Sequence, residues 1–454
     1  MNEEDTVAAI CSGVGSSVTM VRISGKMSLD IGNRVWKSKK KSLCFDNKRL
    51  LMLGRIYPNN DPVGEPVLAV YMPGPNSYTG EDVVEIHAHG GSFNARRVLD
   101  EVIKNGAKQA RPGEFTFRAF VNGKLDLTQA EAVSDLITAN SNMAVHLAER
   151  QMDGVLGRKI AEIRAKLIDM LVECESRVDF PEEELDFVSV KEHLNQLSII
   201  KAEIEDLYNT RKEGAVLRDG IRVVIAGRPN AGKSSLLNLL LGYDRAITTS
   251  IPGTTRDTLE EFANVRGIPV KLIDTAGIRK SDNLIEEIGI KRSLSSLKRS
   301  QVTVWLLDAS HDDLFKEQQE MEKYLKSVKN IIAVWNKIDE VVNPEKLPDT
   351  IFPTVRISVS EKTGIDKFLN IFEKLVWEHP HSEEPEIAVS ARHAELLSKS
   401  LELIPDIIDT LSNGDWELVA VSLKTVVSAL GNIIGEETDL DIYESIFSKF
   451  CIGK

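Results

Sequence analysis

The chain has 454 residues, 42% of them apolar and 28% charged, and a net charge of −13. That length calls for two to four domains of ordinary folded composition, and the acidic balance argues against a non-specific nucleic-acid binder, whose affinity comes from neutralising phosphates. No run approaches the ~18 apolar residues of a membrane span, the acidic start Met1–Asp5 is unlike a signal peptide, and the scattered Cys11, Cys44, Cys174 and Cys451 fit a reducing, cytoplasmic setting.

Residues 1–120 mix short β-type runs, Val67–Tyr71 and Val83–His87, with turn punctuation such as Pro73-Gly74-Pro75-Asn76 and one helical stretch, Asn94–Lys104. This is an α+β pattern. The basic run Lys37, Lys39, Lys40, Lys41 reads as a solvated loop. His87 and His89, on one strand face, read as packing rather than as metal ligands. From Thr128 to Thr210 the apolar spacing turns helical, broken at Phe180-Pro181 before the acidic Glu182–Asp186. Beyond Gly220, the β-rich runs Ile221–Ala226, Val302–Leu307, Ile331–Trp335 and Thr354–Ile357 alternate with helical segments, as in a mostly parallel α/β sheet. His379–Glu386 has linker composition, and Ile387–Lys454 is helical again. Neither helical stretch would bury much core alone. The expected architecture is therefore an α+β N-terminal domain (1–120) and an all-α helical domain in two parts (121–215 and 379–454), with an inserted α/β P-loop, Ras-like G domain (216–378).

The run Ile221–Ala226 enters Gly227-Arg228-Pro229-Asn230-Ala231-Gly232-Lys233-Ser234, and Ser235–Leu241 continues as a helix. GxxxxGKS in a strand–loop–helix setting is a phosphate cradle: glycines let backbone N–H groups close on the phosphates, and the helix N-terminus adds a favourable field. Lys233 is expected to reach the β- and γ-phosphates and the Ser234 hydroxyl to ligate Mg²⁺. Asp274-Thr275-Ala276-Gly277 follows the apolar run Val270–Ile273, placing a carboxylate near Mg²⁺ and the Gly277 N–H near the γ-phosphate. Asn336-Lys337-Ile338-Asp339 follows Ile331–Trp335. A carboxylate at Asp339 accepts from both N1–H and the 2-amino group of guanine, donors that adenine lacks, so GTP is selected over ATP. Ser358-Val359-Ser360 stands where a backbone N–H would meet guanine O6.

Hydrolysis needs a group that orients water. Ile278 occupies the position after the DxxG motif where many small GTPases carry Gln, which leaves Glu286, Glu287 and Arg279 as candidates. No arginine finger is evident, so a monovalent cation is an alternative way to neutralise charge. Asn230 offers it oxygen, as does the hydroxyl-rich Thr248–Thr255 with its Pro252-Gly253 turn. Thr254 and Thr255 are both candidate metal ligands.

Gly227–Leu237 (GRPNAGKSSLL) with Gly253-Thr254-Thr255-Arg256-Asp257 resembles the Era/Der/MnmE branch of bacterial GTPases. Met72–Asp82 (MPGPNSYTGED), Glu85–Gly91 (EIHAHGG), Arg111–Ala132 (RPGEFTFRAFVNGKLDLTQAEA) and the terminal Cys451-Ile452-Gly453-Lys454 narrow the resemblance to the MnmE (TrmE) family of tRNA-modification GTPases, over essentially the whole chain. The resemblance implies a homodimer whose N-terminal domain binds folate and dimerises. It also implies a K⁺-activated G domain and a flavin-binding partner, MnmG (GidA), with which an aminomethyl-type group is installed on C5 of the wobble uridine of certain tRNAs. The one-carbon donor would be 5,10-methylene- or 5-formyl-tetrahydrofolate.

Carried over by motif, the K⁺ ligands are Asn230, Thr249, Ile251 and Thr254, and Thr255 joins Ser234 on Mg²⁺. Nucleotide contacts extend over Asn230–Ser235, Thr249, Ser250, Ile251, Pro252, Gly253, Thr254, Thr255 and Asp274–Gly277. Glu286 is the catalytic carboxylate that orients water, with Lys233 on the phosphates and Cys451 at the folate or substrate site. The folate contacts map to Arg22, Glu85, Lys124 and Lys454. Cys11–Thr19 (CSGVGSSVT) departs from the Pro-Gly-Arg-Gly type turn usual in the family, so a different folate-pocket rim is expected. The alternative is an Era/Der-like regulatory GTPase of ribosome assembly, which would carry a basic RNA-binding appendage that Ile387–Lys454 lacks.

Overall fold

The computed structural model describes residues 5–13, 15–39, 41–180, 187–243, 260–274, 300–311, 313–325, 328–377, 386–436 and 440–454. The acidic stretch Glu182–Asp186 and most of the expected linker therefore lie outside the described residues. The chain forms two compact units, one of residues 1–134, 151–203 and 396–454 and the other of residues 135–150 and 204–395.

The first unit is built on strands β1 (Val7–Ile10), β2 (Val18–Ser24), β3 (Trp36–Lys37), β4 (Met52–Ile56), β5 (Glu65–Met72), β6 (Val83–His89) and β7 (Lys108–Gln109). They lie side by side in the order β3-β4-β5-β6-β2-β1-β7, antiparallel except for the parallel β1–β7 pair. Alternate residues point to one face, and that face is apolar: Val21 and Ile23 of β2, Val67 and Ala69 of β5, and Val84 and Ile86 of β6 are buried with Ile31, Val35, Val98 and Val102 from the helices Ser28–Val35 and Ser92–Lys104. The sequence patterns at Val67–Tyr71, Val83–His87 and Asn94–Lys104 all fall on these elements.

Two long helices of this unit, Val155–Asp179 and Trp416–Ile434, pack along each other. Leu156, Ile160, Ile163, Leu167, Met170 and Cys174 are buried on the first, and Val419, Leu423, Val426, Leu430 and Ile433 on the second. Their apolar stripes recur at three- and four-residue intervals, as helix-on-helix burial demands. The partners are far apart in sequence because the whole second sheet is encoded between them. The α/β unit is thus an insertion into an all-α domain, as the sequence pattern implied. Trp416–Ile434 is also the one helix among the described residues long and apolar enough to cross a membrane, with mean hydropathy 1.5. Its buried stripe against Val155–Asp179 gives that hydropathy a core role.

The second unit contains β8 (Ile221–Gly227), β9 (Glu260–Val265), β10 (Ile268–Asp274), β11 (Val302–Asp308), β12 (Ile331–Asn336) and β13 (Thr354–Arg356), ordered β13-β12-β11-β8-β10-β9. Every pairing is parallel except β9–β10. β12 is buried along its entire length, the continuous apolar run typical of a strand covered on both faces. The chain passes from β8 to β9 and β10 on one side and then to β11 on the other. This reversal makes the C-terminal end of β8 the switch point where α/β sheets bind ligands. The antiparallel β9 was not distinguished in the sequence reading.

Leu423→Ala would leave a cavity at the fully buried centre of the helix pair. It is expected to destabilise the protein by about 2–5 kcal/mol, measurable as a lower denaturant midpoint.

Candidate active site

The C-terminal edge of the second sheet collects the polar ends of its strands. Gly227 ends β8, Asp274 ends β10 opposite Ile225, and Asp308 of β11 stands opposite Asn336 of β12. From β8 the loop turns through Gly227 (φ 140°), Asn230 (φ 66°) and Gly232 (φ 97°) into the helix Lys233–Tyr243. Both glycines are sterically required. A Cβ at Gly227 would stand 2.3 Å from the Leu306 carbonyl oxygen, and one at Gly232 would stand 2.2 Å from Asn336 Nδ2. Lys233 Nζ donates to the carbonyls of Gly227 (2.8 Å) and Arg228 (2.7 Å), so the ammonium spans the loop it serves. Ala231 is buried, whereas Ser234 and Ser235 in the first helical turn are exposed. Their backbone N–H groups belong to the unbonded N-terminal end of the helix, where anions are favoured.

Asn336, itself buried, ties this loop to the next two. Its Nδ2 donates to the Ala231 carbonyl at 2.9 Å, and its Oδ1 accepts from the Val359 N–H at 3.2 Å. Lys337 is left-handed (φ 64°), and its ammonium lies 2.6 Å from Asp308 Oδ2. Asp339 is exposed; hydrogen bonds from Ser358 and Ser360 and its own backbone hold its carboxyl below the ordinary range. The Ser358 hydroxyl also accepts from the Glu361 N–H and meets the Ser360 hydroxyl at 2.9 Å, which closes the edge loop on itself. Asn230–Ser235, Asn336, Lys337, Asp339 and Ser358–Ser360 are therefore brought together as one loop cluster, with Asp274 at the end of a neighbouring strand. Thr249, Ser250, Ile251, Pro252, Gly253, Thr254, Thr255, Thr275, Ala276, Gly277 and Glu286 lie outside the described residues, as do Ile278, Arg279 and Glu287. Asp308 was missed by the sequence reading. The available signal was its place as the polar end of a parallel strand, shared with Asp274 and Asn336.

A second cluster occupies the first unit. Arg22 of β2 faces Glu85 of β6 across the antiparallel register, and Arg22 Nε donates to Glu85 Oε1 at 2.9 Å. The guanidinium lies over the rings of Tyr78 (5.3 Å to the centroid) and Phe115 (5.5 Å). Burial pushes Glu85 up, but interactions with His87 and Arg22 outweigh this and hold its carboxyl below the ordinary range. His87 Nε2 is 3.5 Å from Glu85 Oε2, an ion-pair distance lacking hydrogen-bond alignment. His89 pairs with Glu65, so the two histidines converge on carboxylates and not on a common metal position.

The C-terminal tail is docked at the same place. Ile452 forms an antiparallel bridge to Pro112, the Cys451 carbonyl accepts from the Gly113 N–H at 3.4 Å, and the Lys454 carbonyl accepts from the Phe115 N–H at 3.1 Å. Gly453 (φ 101°) fits so closely that a Cβ there would stand 2.1 Å from the Ile10 carbonyl oxygen. Burial pushes the Cys11 thiol up to about 11, while Arg22, Glu85 and Lys454 all act on it electrostatically. Arg22, Glu85 and Lys454 thus share one site with Cys11, which opens the segment expected at the pocket rim, and with Tyr78 and Phe115, two residues the sequence reading did not place there. Cys451 is exposed beside it. Lys124 is exposed on the loop after the helix Glu114–Val121 and borders the turn at Gly80, where a Cβ would meet its Cγ at 3.4 Å. No contact places it on Arg22 or Glu85 among the described residues.

A GxxxxGKS loop at the switch point of a Ras-like sheet, laced to an Asn-Lys-x-Asp turn, defines a P-loop GTPase. Residues 6–124 match the family described as the GTP-binding protein TrmE N-terminus, and residues 127–451 match the MnmE helical domain. The chain is 39% identical over 458 residues to the tRNA modification GTPase MnmE of Clostridioides difficile (strain 630), covering 99% of each chain. It is 40% identical over 459 residues to that of Thermoanaerobacter sp. (strain X514), again covering 99% of each, and 39% identical over 460 residues to that of Geotalea uraniireducens (strain Rf4), covering 100% of each. The chain belongs to the MnmE family of tRNA modification GTPases.

Asp339→Asn is expected to weaken GDP binding by ~10²-fold or more and to shift preference toward xanthosine diphosphate, whose C2 carbonyl accepts from an amide where guanine donates an amino group. Competition between the two nucleotides for a fluorescent diphosphate measures the shift.

Proposed function

We propose that this GTPase is activated by K⁺ and acts with a flavin-binding partner to add an aminomethyl-type group, carboxymethylaminomethyl included, to C5 of the wobble uridine of certain tRNAs, with a tetrahydrofolate as one-carbon donor. The observation that carries this reading is the pairing of a GTPase loop cluster with a separate charged site, Arg22–Glu85–Lys454, in a chain of this family. We retain 1–120, 121–215, 216–378 and 379–454 as the domain bounds, a cytoplasmic location, and a homodimer. The exposed, apolar Leu53 and Leu68, paired across β4 and β5, favour self-association through the N-terminal sheet.

In this reading Ser234 and Thr255 hold Mg²⁺, and Asn230, Thr249, Ile251 and Thr254 hold K⁺. The exposed Ser234 hydroxyl beside Lys233 and the left-handed Asn230 at the loop rim are donors suited to hard cations. Bound there, the two ions neutralise charge that develops on the phosphates. Lys233 binds the same phosphates, Glu286 orients the attacking water, and Asp339 fixes the base. Arg22, Glu85 and Lys454, with Lys124 kept as a fourth contact, offer charges of both signs. That suits a folate, which carries an aminopyrimidine edge at one end and carboxylates at the other. Cys451 stands by to act on the folate or the tRNA base.

Replacing K⁺ by Na⁺ is expected to slow GTP hydrolysis, and Glu286→Ala to reduce turnover by ~10²-fold or more while GTP binding persists. Steady-state rates in the two salts, with nucleotide affinity measured in parallel, check both; equal rates remove Asn230 from its role. For the pathway, nucleoside analysis of tRNA from a deletion strain is expected to show loss of the C5 modification, and an unchanged wobble uridine refutes the reading.

A further inference from the structure

We infer that Asp308 is a positioning residue of the nucleotide site, holding the guanine-reading turn through Lys337. This rests on the reading of Asn336–Asp339 as the base-binding loop, and it adds a residue that the motif itself does not contain.

Asp308 is the last residue of β11 and stands opposite Asn336 in the parallel register with β12. Its two oxygens have separate partners. Oδ1 accepts from the Ser310 N–H (3.0 Å) and hydroxyl (2.7 Å), which fixes the carboxylate on its own turn. Oδ2 is left to meet Lys337 Nζ at 2.6 Å. The Asp308 side chain is only 16% exposed, so the pair is screened less than a surface ion pair. A backbone bond from the Ala309 N–H to the Asn336 carbonyl (2.9 Å) runs beside it.

Lys337 is where the turn needs support. It is a non-glycine residue in the left-handed region, a conformation that persists only when its surroundings impose it. On its N-terminal side Asn336 is fixed by Ala231 and Val359. On its C-terminal side Asp339 is exposed and must point its carboxylate at the base edge. An unpinned Lys337 stem would let the turn relax between these two, and the Asp308 carboxylate supplies the pin. A loss of the pin should therefore appear in nucleotide affinity and not in the chemical step.

The test is a double-mutant cycle on the full-length protein. Asp308→Asn keeps the size and the acceptor for Ser310 but removes the charge facing Lys337; Lys337→Met removes the ammonium and keeps the stem. Each is expected to raise the Kd for GDP and the KM for GTP by ~10-fold, with kcat falling less than twofold. The double variant is expected to bind no worse than Lys337→Met alone, and Asp308→Glu to recover most of the affinity. An unchanged Kd in Asp308→Asn or in Lys337→Met overturns the inference, and so does a double variant in which the two losses multiply, the mark of a strand end that merely supports the fold. Asp339→Asn serves as the control. If it fails to shift preference toward xanthosine diphosphate, the reading of the base loop fails; if it shifts while Asp308→Asn is silent, only the role of Asp308 fails.

Discussion

The nucleotide site depends on one buried side-chain amide. Asn336 donates to the Ala231 carbonyl and accepts from the Val359 N–H, so a single planar group holds the phosphate loop, the base-reading strand end and the edge loop at fixed separations. An amide suits this position because it carries a donor and an acceptor on one rigid plane without a charge to desolvate. The close packing of Gly232 against its Nδ2 shows the same constraint from the other side, since a side chain at position 232 would displace the amide. Asp308 and Lys337 extend the brace to a third strand.

The sheet explains why these loops meet. Parallel strands carry all their C-terminal ends to one edge, so residues far apart in sequence, Gly227, Asp274, Asp308 and Asn336, come to one line without any further device. The N-terminal unit solves a similar problem differently. There an antiparallel register sets Arg22 against Glu85, and residues 451–454 dock against Pro112, Phe115 and the end of β1. Gly453 is the only residue type that fits there, because its φ is positive and the Ile10 carbonyl occupies the space of a Cβ. The GTPase cluster and the charged cluster thus each stand on a scaffold of their own.

Much of this was legible in the sequence for local reasons. GxxxxGKS needs only a strand before it and a helix after it, and both are adjacent in the chain. The alternation of β-rich and helical runs after Gly220 reflects burial of the central strands on both faces, which composition records directly. Tyr78 and Phe115 were not legible, because their place beside Arg22 follows from strand register and tail docking, neither of which leaves a periodic trace.

The sequence alone therefore determined the phosphate loop, the Asn-Lys-x-Asp turn, the order of α+β, helical and inserted α/β segments, and the family, since each is written in contiguous residues of restricted chemistry. Tertiary structure decided which distant groups touch: Asn336 with Ala231 and Val359, Lys337 with Asp308, and Arg22 with Tyr78 and Phe115. The physical reason is that hydrogen bonds and ion pairs depend on separations of about 3 Å, which the chain sets only after its apolar faces have fixed how the strands and helices lie.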